Sequence, residues 1–231
     1  MRTPNARHGA NESLIEPGRH GRGRSTQADR SARTRGALLE SAARGLSRHG
    51  YGNLVLEQVA GDAGYTRGAL YYQFEDKQEL TLAAFEWVLE TWDQEVGRLV
   101  ERETDPVAAL LTMARGHAVF CRRDIARVAM TLRLEFSGRD HPVGREVERA
   151  YELLLKDCVR LIEAGRGAGS IPPGPPAGTL AQAFVGALEG ATVALAGRVP
   201  HDELLAARAA AGVLGLDPRA AEAPERAEVN T

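Results

Sequence analysis

From Arg33 onward apolar residues recur at helical spacing, and the breaks between the periodic stretches carry helix stop and start signals. Leu38, Leu39, Ala42, Ala43 and Leu46 form the face of a first helix, which closes at His49-Gly50, a C-cap pattern. Leu56, Val59, Ala60 and Ala63 share one side of a second helix over 54–63, and Gly64 supplies the left-handed turn after it. Thr66 caps a third helix over 66–73. Helix, glycine turn and helix in this order predict a helix-turn-helix.

A long fourth helix over about 77–101 follows Glu75-Asp76, acidic residues placed against its N-terminal dipole. Its inward face is predicted to hold Leu80, Phe85, Val88, Leu89, Trp92, Val96 and Leu99. At 1.5 Å per residue it spans roughly 37 Å, enough to join two parts of a protein mechanically. Thr104-Asp105-Pro106 begins a fifth helix to Cys121, and Asp124 a sixth ending near Phe136. A seventh runs over about 143–164 with Val147, Tyr151, Leu154, Leu155, Cys158, Leu161 and Ile162 inward. Residues 165–178, GRGAGSIPPGPPAG, read as a linker because Pro and Gly disfavour regular structure. Thr179 caps an eighth helix to about Ala196 and Asp202 a ninth to about Leu214. The prediction is an all-α fold of about nine helices: an arm over 1–30, a three-helix helix-turn-helix domain over 31–76, a larger helical domain over 77–217 and a flexible tail over 218–231.

Composition supports this reading. Aromatics make up only 5% of the 231 residues while Ala, Leu, Arg and Glu dominate, which favours helix. With 43% hydrophobic and 26% charged residues the body is globular rather than disordered. Net charge is −2, yet the first 50 residues carry ten Arg against four carboxylates, a local excess of six positive charges that marks an anionic partner near the N-terminus. Six of those Arg lie in the Gly, Arg, Asn and Ser-rich arm, which is either a solvated tail or an arm that lies on DNA. Cys121 and Cys158 show neither a CxxC pair nor metal-ligand spacing, so two buried free thiols and no metal are expected. The start MRTPNARHGA lacks the apolar core of a signal peptide, and no run approaches the 18 or so consecutive apolar residues of a membrane span. A cytoplasmic protein without a membrane partner is expected.

The informative stretch is AGYTRGALYYQFEDKQEL, residues 63–80. Arg67, Tyr71, Tyr72 and Gln73 fall on exposed faces of the third helix, while Leu70 and Phe74 pack inward. Free N–H groups at its start suit phosphate, and its polar side chains suit base edges in a major groove. With LLESAARGLSRHGY before it, this segment resembles, without a gap, the DNA-binding domain of TetR/AcrR-type repressors over about residues 34–80. The resemblance implies DNA contacts from Thr66, Arg67, Gly68 through its backbone N–H, Tyr71, Tyr72, Gln73 and Lys77, joined by Arg33 at the start of the first helix. Arg67, Tyr71 and Gln73 are the candidates for base edges, the others for phosphate. Departures from the family pattern are Val55 in place of the capping Ser or Thr of the second helix, Gly45 in place of a larger apolar residue, Gln73 for His and Tyr65 for Val.

By the same resemblance, residues 77–217 are a ligand-binding and dimerisation domain: the eighth and ninth helices pair with those of a second copy, and a small molecule entering between helices five to eight shifts helix four and spoils the spacing of two half-sites. Ala183, Gly186, Ala187, Gly190, Ala191 and Ala194 make the eighth helix a candidate dimer seam; spacing alone equally allows a tightly packed internal helix. Candidate effector residues are Trp92, Met113, His117, Phe120, Arg133, Phe136, Tyr151 and Glu189, of which His117, Arg133 and Glu189 are polar groups on apolar faces that need a partner, and most of which also read as plain core. Arg133 with Glu135 reads equally as a surface pair. For the opposing class, an α-helical enzyme, the chain holds no GxSxG, Walker A or HExxH motif, and GRGAG at 165–169 follows a helix and lacks dinucleotide spacing, so no cofactor is implied. A helical scaffold that does not bind DNA would need substitutions in the third helix, whereas Tyr71, Tyr72 and Lys77 are intact. The expected function is a ligand-responsive repressor that binds a palindromic operator in double-stranded DNA as a homodimer and is released by a small-molecule effector.

Overall fold

The computed structural model describes residues 26–195 and 197–221, and these are all-helical, with no strand among them. The expected arm, with Arg2, Arg7, Arg19, Arg22 and Arg24, falls almost wholly outside them. Helix α1 (Gln27–His49) starts ahead of its apolar pattern because a capping box, not burial, sets its beginning. The Thr26 hydroxyl accepts from the Asp29 N–H at 3.1 Å, and the Asp29 carboxylate accepts from the Thr26 N–H at 2.8 Å. Helices α2 (Leu56–Asp62) and α3 (Arg67–Gln73) complete the helix-turn-helix. As the sequence implies, α2 starts at Val55 without a side-chain cap. The small Gly45 is explained by Leu54, whose Cδ1 would stand 2.6 Å from a Cβ there.

Helix α4 is Lys77–Trp92, capped by Asp76, and it continues through a π-helical turn, Asp93–Gly97, into Arg98–Glu101. The wider turn inserts a residue and rotates the inward face. Val96 is thereby buried against Gly116, while Leu99, predicted to be inward, is 43% exposed. Helices α5 (Pro106–Phe120), α6 (Val128–Phe136), α7 (Pro142–Gly167), α8 (Ala177–Leu195) and α9 (His201–Val213) follow, nine in all among the described residues.

Several predicted boundaries move because side chains find better partners than a cap. Asp124 does not start α6; its carboxylate lies 2.7 Å from Arg48 on α1. Thr179 lies inside α8 instead of capping it. Asp202 lies in the first turn of α9, 2% exposed, and takes two bonds from Arg122 at 2.7 and 2.8 Å. The predicted linker is partly helix, since α7 runs to Gly167, and the rest is tied down: Ile171 is buried, and Arg166 donates to the Pro175 carbonyl at 2.7 Å. The expected flexible tail begins as a 3₁₀ turn, Pro218–Ala221, whose last carbonyl accepts from Arg115 at 2.6 Å; residues 222–231 lie outside the described ones.

Two apolar cores result, and they do not divide at residue 76. The first joins α1–α3 to the front half of α4, to α6 and to the start of α7, through Leu38, Leu46, Leu70, Phe74, Phe85 and Leu132 among others. The second joins α5, the rest of α7, α8 and α9, and Trp92 packs against both. Helix α8 contributes Leu180, Ala181, Phe184, Val185 and Leu188 to it. Although no run of 18 consecutive apolar residues exists, α8 is long and apolar enough by length and mean hydropathy to cross a membrane, with 33% of that stretch buried inside the chain.

The Arg122–Asp202 pair ties α9 to the end of α5. Arg122→Met leaves a carboxylate buried without its cation and is expected to cost about 2 kcal/mol, less than a fully buried pair because the arginine side chain is 25% exposed. Urea unfolding of both proteins measures it, and an unchanged midpoint would show the pair to be energetically neutral.

Candidate nucleic-acid interface and effector region

Helix α3 is held from beneath and capped at its start, and its outer side is free. Thr66 accepts from the Ala69 N–H at 3.2 Å, Leu70 and Phe74 are buried, and Gly64 makes the preceding turn at φ +77°. Arg67, Gly68, Tyr71 and Tyr72 face outward; Tyr71 is 43% and Tyr72 79% exposed. Arg67 lies 2.7 Å from Glu57 on α2, 3.4 Å from the Tyr71 hydroxyl and 5.3 Å from its ring centroid. This holds a guanidinium and a phenol side by side on the surface.

Two predicted DNA contacts are engaged within the fold. The Gln73 side-chain amide donates to Ser31 at 3.0 Å, and the main-chain carbonyl of Gln73 accepts from Arg35 at 3.3 Å, so the residue ties α3 to α1 and its side chain does not extend outward as a base-edge reader must. Lys77 donates to the Gly52 carbonyl at 3.1 Å and sits 4.8 Å from the Tyr51 ring centroid. An ammonium has two further donors, which leaves a phosphate contact open to it. Arg33 is exposed on α1, its Nε 3.4 Å from the Asp29 carbonyl.

The small residues predicted as a seam on α8 lie mostly away from the chain's own core. Ala183, Gly186, Gly190 and Ala194 are exposed and Ala187 and Ala191 half-buried, and a Cβ added at Gly186 or Gly190 would meet nothing within 4 Å. The alternative of an internal helix therefore fails for these glycines. Val193 on α8 and Leu205 on α9 extend the apolar surface, at 57% and 39% exposure.

The eight predicted effector residues do not form one pocket. Met113 and Phe120 are buried in separate cores, Met113 with its sulfur 3.9 Å from that of Cys158. Two polar groups form instead. Trp92 donates to His117 Nδ1 at 3.3 Å, and Cys121 Sγ lies 3.5 Å from Nε2 of the same ring. The Arg133 guanidinium lies 3.5 Å from the Tyr151 ring centroid and 3.3 Å from Glu148. Glu189 stands near Arg133, its pKa raised by burial and opposed by the arginine's charge. Arg133 and Phe136 line a cleft of 590 Å³ with Arg139, Arg145, Glu148 and Arg149, which opens to solvent between α7 and the loop before it. Cys121 is the member of this region that sequence reasoning set aside; its spacing of four from His117 was the available signal. The suggested Arg133–Glu135 pair is absent, for Glu135 turns to the N–H groups of Tyr51 and Gly52.

His117 faces inward with both ring nitrogens, and burial pushes its pKa down from 6.5 to about 4. The unfolded chain therefore takes up a proton that the folded chain excludes as pH falls through this window. Stability should be full above pH 6.5 and decline toward pH 4 by up to about 3 kcal/mol, an effect that His117→Gln should flatten. Denaturant titrations at neutral and acidic pH check this; parallel profiles for the two proteins would contradict it.

The profile described as "Bacterial regulatory proteins, tetR family" matches residues 38–84, from the core face of α1 to the front of α4. The HTH-type transcriptional regulator CymR of Pseudomonas putida is 43% identical over 67 residues, 29% of this chain, which spans only a third, 33%, of that relative's length. The HTH-type transcriptional regulator YfiR of Bacillus subtilis (strain 168) is 24% identical over 158 residues, 66% of this chain and 75% of the relative. A TetR transcriptional regulator from Chloroflexus aurantiacus J-10-FL shares the fold with a TM-score of 0.68 at 18% identity, over 80% of this chain and 94% of that one. AibR, solved in complex with isovaleryl coenzyme A and operator DNA, does so with a TM-score of 0.66 at 20% identity, over 80% and 98%. Residues 38–84 thus match the tetR family of bacterial regulatory proteins, and the described chain shares the all-helical fold of TetR-type regulators.

Proposed function

We propose that the chain is an effector-responsive repressor that binds a palindromic operator as a homodimer. The observation that carries this reading is the outer face of α3: Arg67, Tyr71 and Tyr72 stand exposed on a seven-residue helix whose other side is buried. A large aromatic left in water is understandable when a partner covers it, and a phenol beside a guanidinium suits phosphates and base edges. Thr66, Gly68, Lys77 and Arg33 serve the backbone, while Gln73 sets the pose of α3.

The exposed Ala and Gly stripe of α8, continued by Leu205 of α9, is the seam at which two copies meet, and two α3 helices then face successive major grooves. The effector enters near Trp92, His117, Arg133, Tyr151 and Glu189, where an apolar molecule with one polar or anionic end finds both surfaces. The AibR complex, with operator DNA and an acyl thioester of coenzyme A, supports a small-molecule ligand of this kind. The effector acts only by preferring the conformer that does not bind DNA, so its affinity difference sets the maximal release.

Duplexes selected from a random-sequence pool supply the operator. Tyr71→Ala should weaken binding to the most enriched duplex about tenfold without altering the dimer, and affinity should fall steeply with salt as phosphate contacts release counterions. Titration by fluorescence anisotropy reads both, and an unchanged affinity removes α3 from the interface. Gly190→Leu, placed in open space on α8, should leave the fold intact and give monomers in sedimentation; a persistent dimer would locate the seam elsewhere.

A further inference from the structure

The turn that joins α1 to α2 is held by three elements from beyond the helix-turn-helix. From the last turn of α6, Glu135 accepts from the Tyr51 N–H at 2.6 Å through Oε2 and from the Gly52 N–H at 2.7 Å through Oε1. Phe136 and His141 stack on each other at 4.4 Å and meet the Tyr51 ring edge-on at 5.3 and 5.2 Å. Lys77, at the start of α4, binds the Gly52 carbonyl. The backbone is shaped for this approach: Gly50 has φ +73°, and a Cβ there would stand 2.6 Å from Glu135 Oε2.

We propose that Glu135 is a positioning residue for DNA binding, through which α6 governs the pose of the recognition helix. A carboxylate shared by two backbone N–H groups is a charge-assisted, two-point contact, and it grips main chain, so any shift of α6 moves the turn itself. That turn sets how the chain enters α2, and α2 packs on α3. Two residues before Glu135, the same nine-residue helix carries Arg133, bound over Tyr151 and to Glu148 of α7. One short rigid element thus joins the candidate effector region to the clamp. A displacement of about 1 Å takes both bonds out of hydrogen-bonding range, so a shift of α6 that an effector favours would release the turn.

The inference rests on α3 being the DNA-contacting helix, and the test separates the two. Full-length wild type, Glu135→Gln and Glu135→Ala are compared by amide hydrogen exchange resolved at Tyr51 and Gly52, by sedimentation and by affinity for the duplex most enriched on wild type. Glu135→Ala should speed exchange at both amides and lower affinity, each about tenfold, with the dimer unchanged. Glu135→Gln, which presents one acceptor and one donor to two donors, should show a smaller loss in the same direction, and it carries the test if the alanine variant does not fold. Faster exchange with unchanged affinity would make the clamp merely structural and overturn the proposal, as would unchanged exchange. A wild-type chain that enriches no duplex while both amides stay protected would instead overturn the DNA-binding reading, and this inference with it.

Discussion

The burial of one continuous apolar core under both the helix-turn-helix and part of the larger domain is the constraint on which the rest depends. The helix-turn-helix buries little surface alone, since α2 and α3 have only seven residues each. Leu38, Leu46, Leu70 and Phe74 therefore pack in one cluster with Phe85 of α4, Leu132 of α6 and Val143 of α7. The helix-turn-helix and this part of the larger domain share a core and so cannot move independently. The Arg48–Asp124 pair and the aromatic socket around Tyr51 lie along the same seam.

Against this rigid base the free surfaces stand out. The outer side of α3 exposes two tyrosines and an arginine, and the outer side of α8 exposes alanine and glycine. They differ in chemistry: π faces and hydrogen-bonding groups suit a polyanion, while small apolar residues allow close approach of another helix. A helix apolar enough to cross a membrane, but only one-third buried in its own chain, is equally the composition of a helix covered by a second subunit.

The interior polar groups of the larger domain are sparse and fall into small clusters. Trp92, His117 and Cys121 form one chain of contacts, with burial holding the imidazole neutral and pushing the Cys121 thiol up to about 11. Arg133, Tyr151 and Glu148 form another at the edge of an open cleft. The π-helical turn of α4 follows directly on Trp92, at the point where both cores meet. Irregular backbone at such a junction aims side chains that a regular helix would place elsewhere.

The sequence by itself determined the nine helices, the helix-turn-helix and the residues of its outer face. Apolar period, caps and glycine turns act over a few residues, and the motif from Ala63 to Leu80 keeps its spacing in one unbroken stretch. Only the tertiary structure decided that Gln73 turns inward to Ser31, that Asp202 serves Arg122, that Leu99 faces water and that the glycines of α8 face outward. The same holds for Glu135, whose partners lie 83 and 84 positions away in the chain. Local rules assign a side chain to a face of its own helix, but which neighbour covers that face is set by packing between distant segments, and no local pattern encodes it.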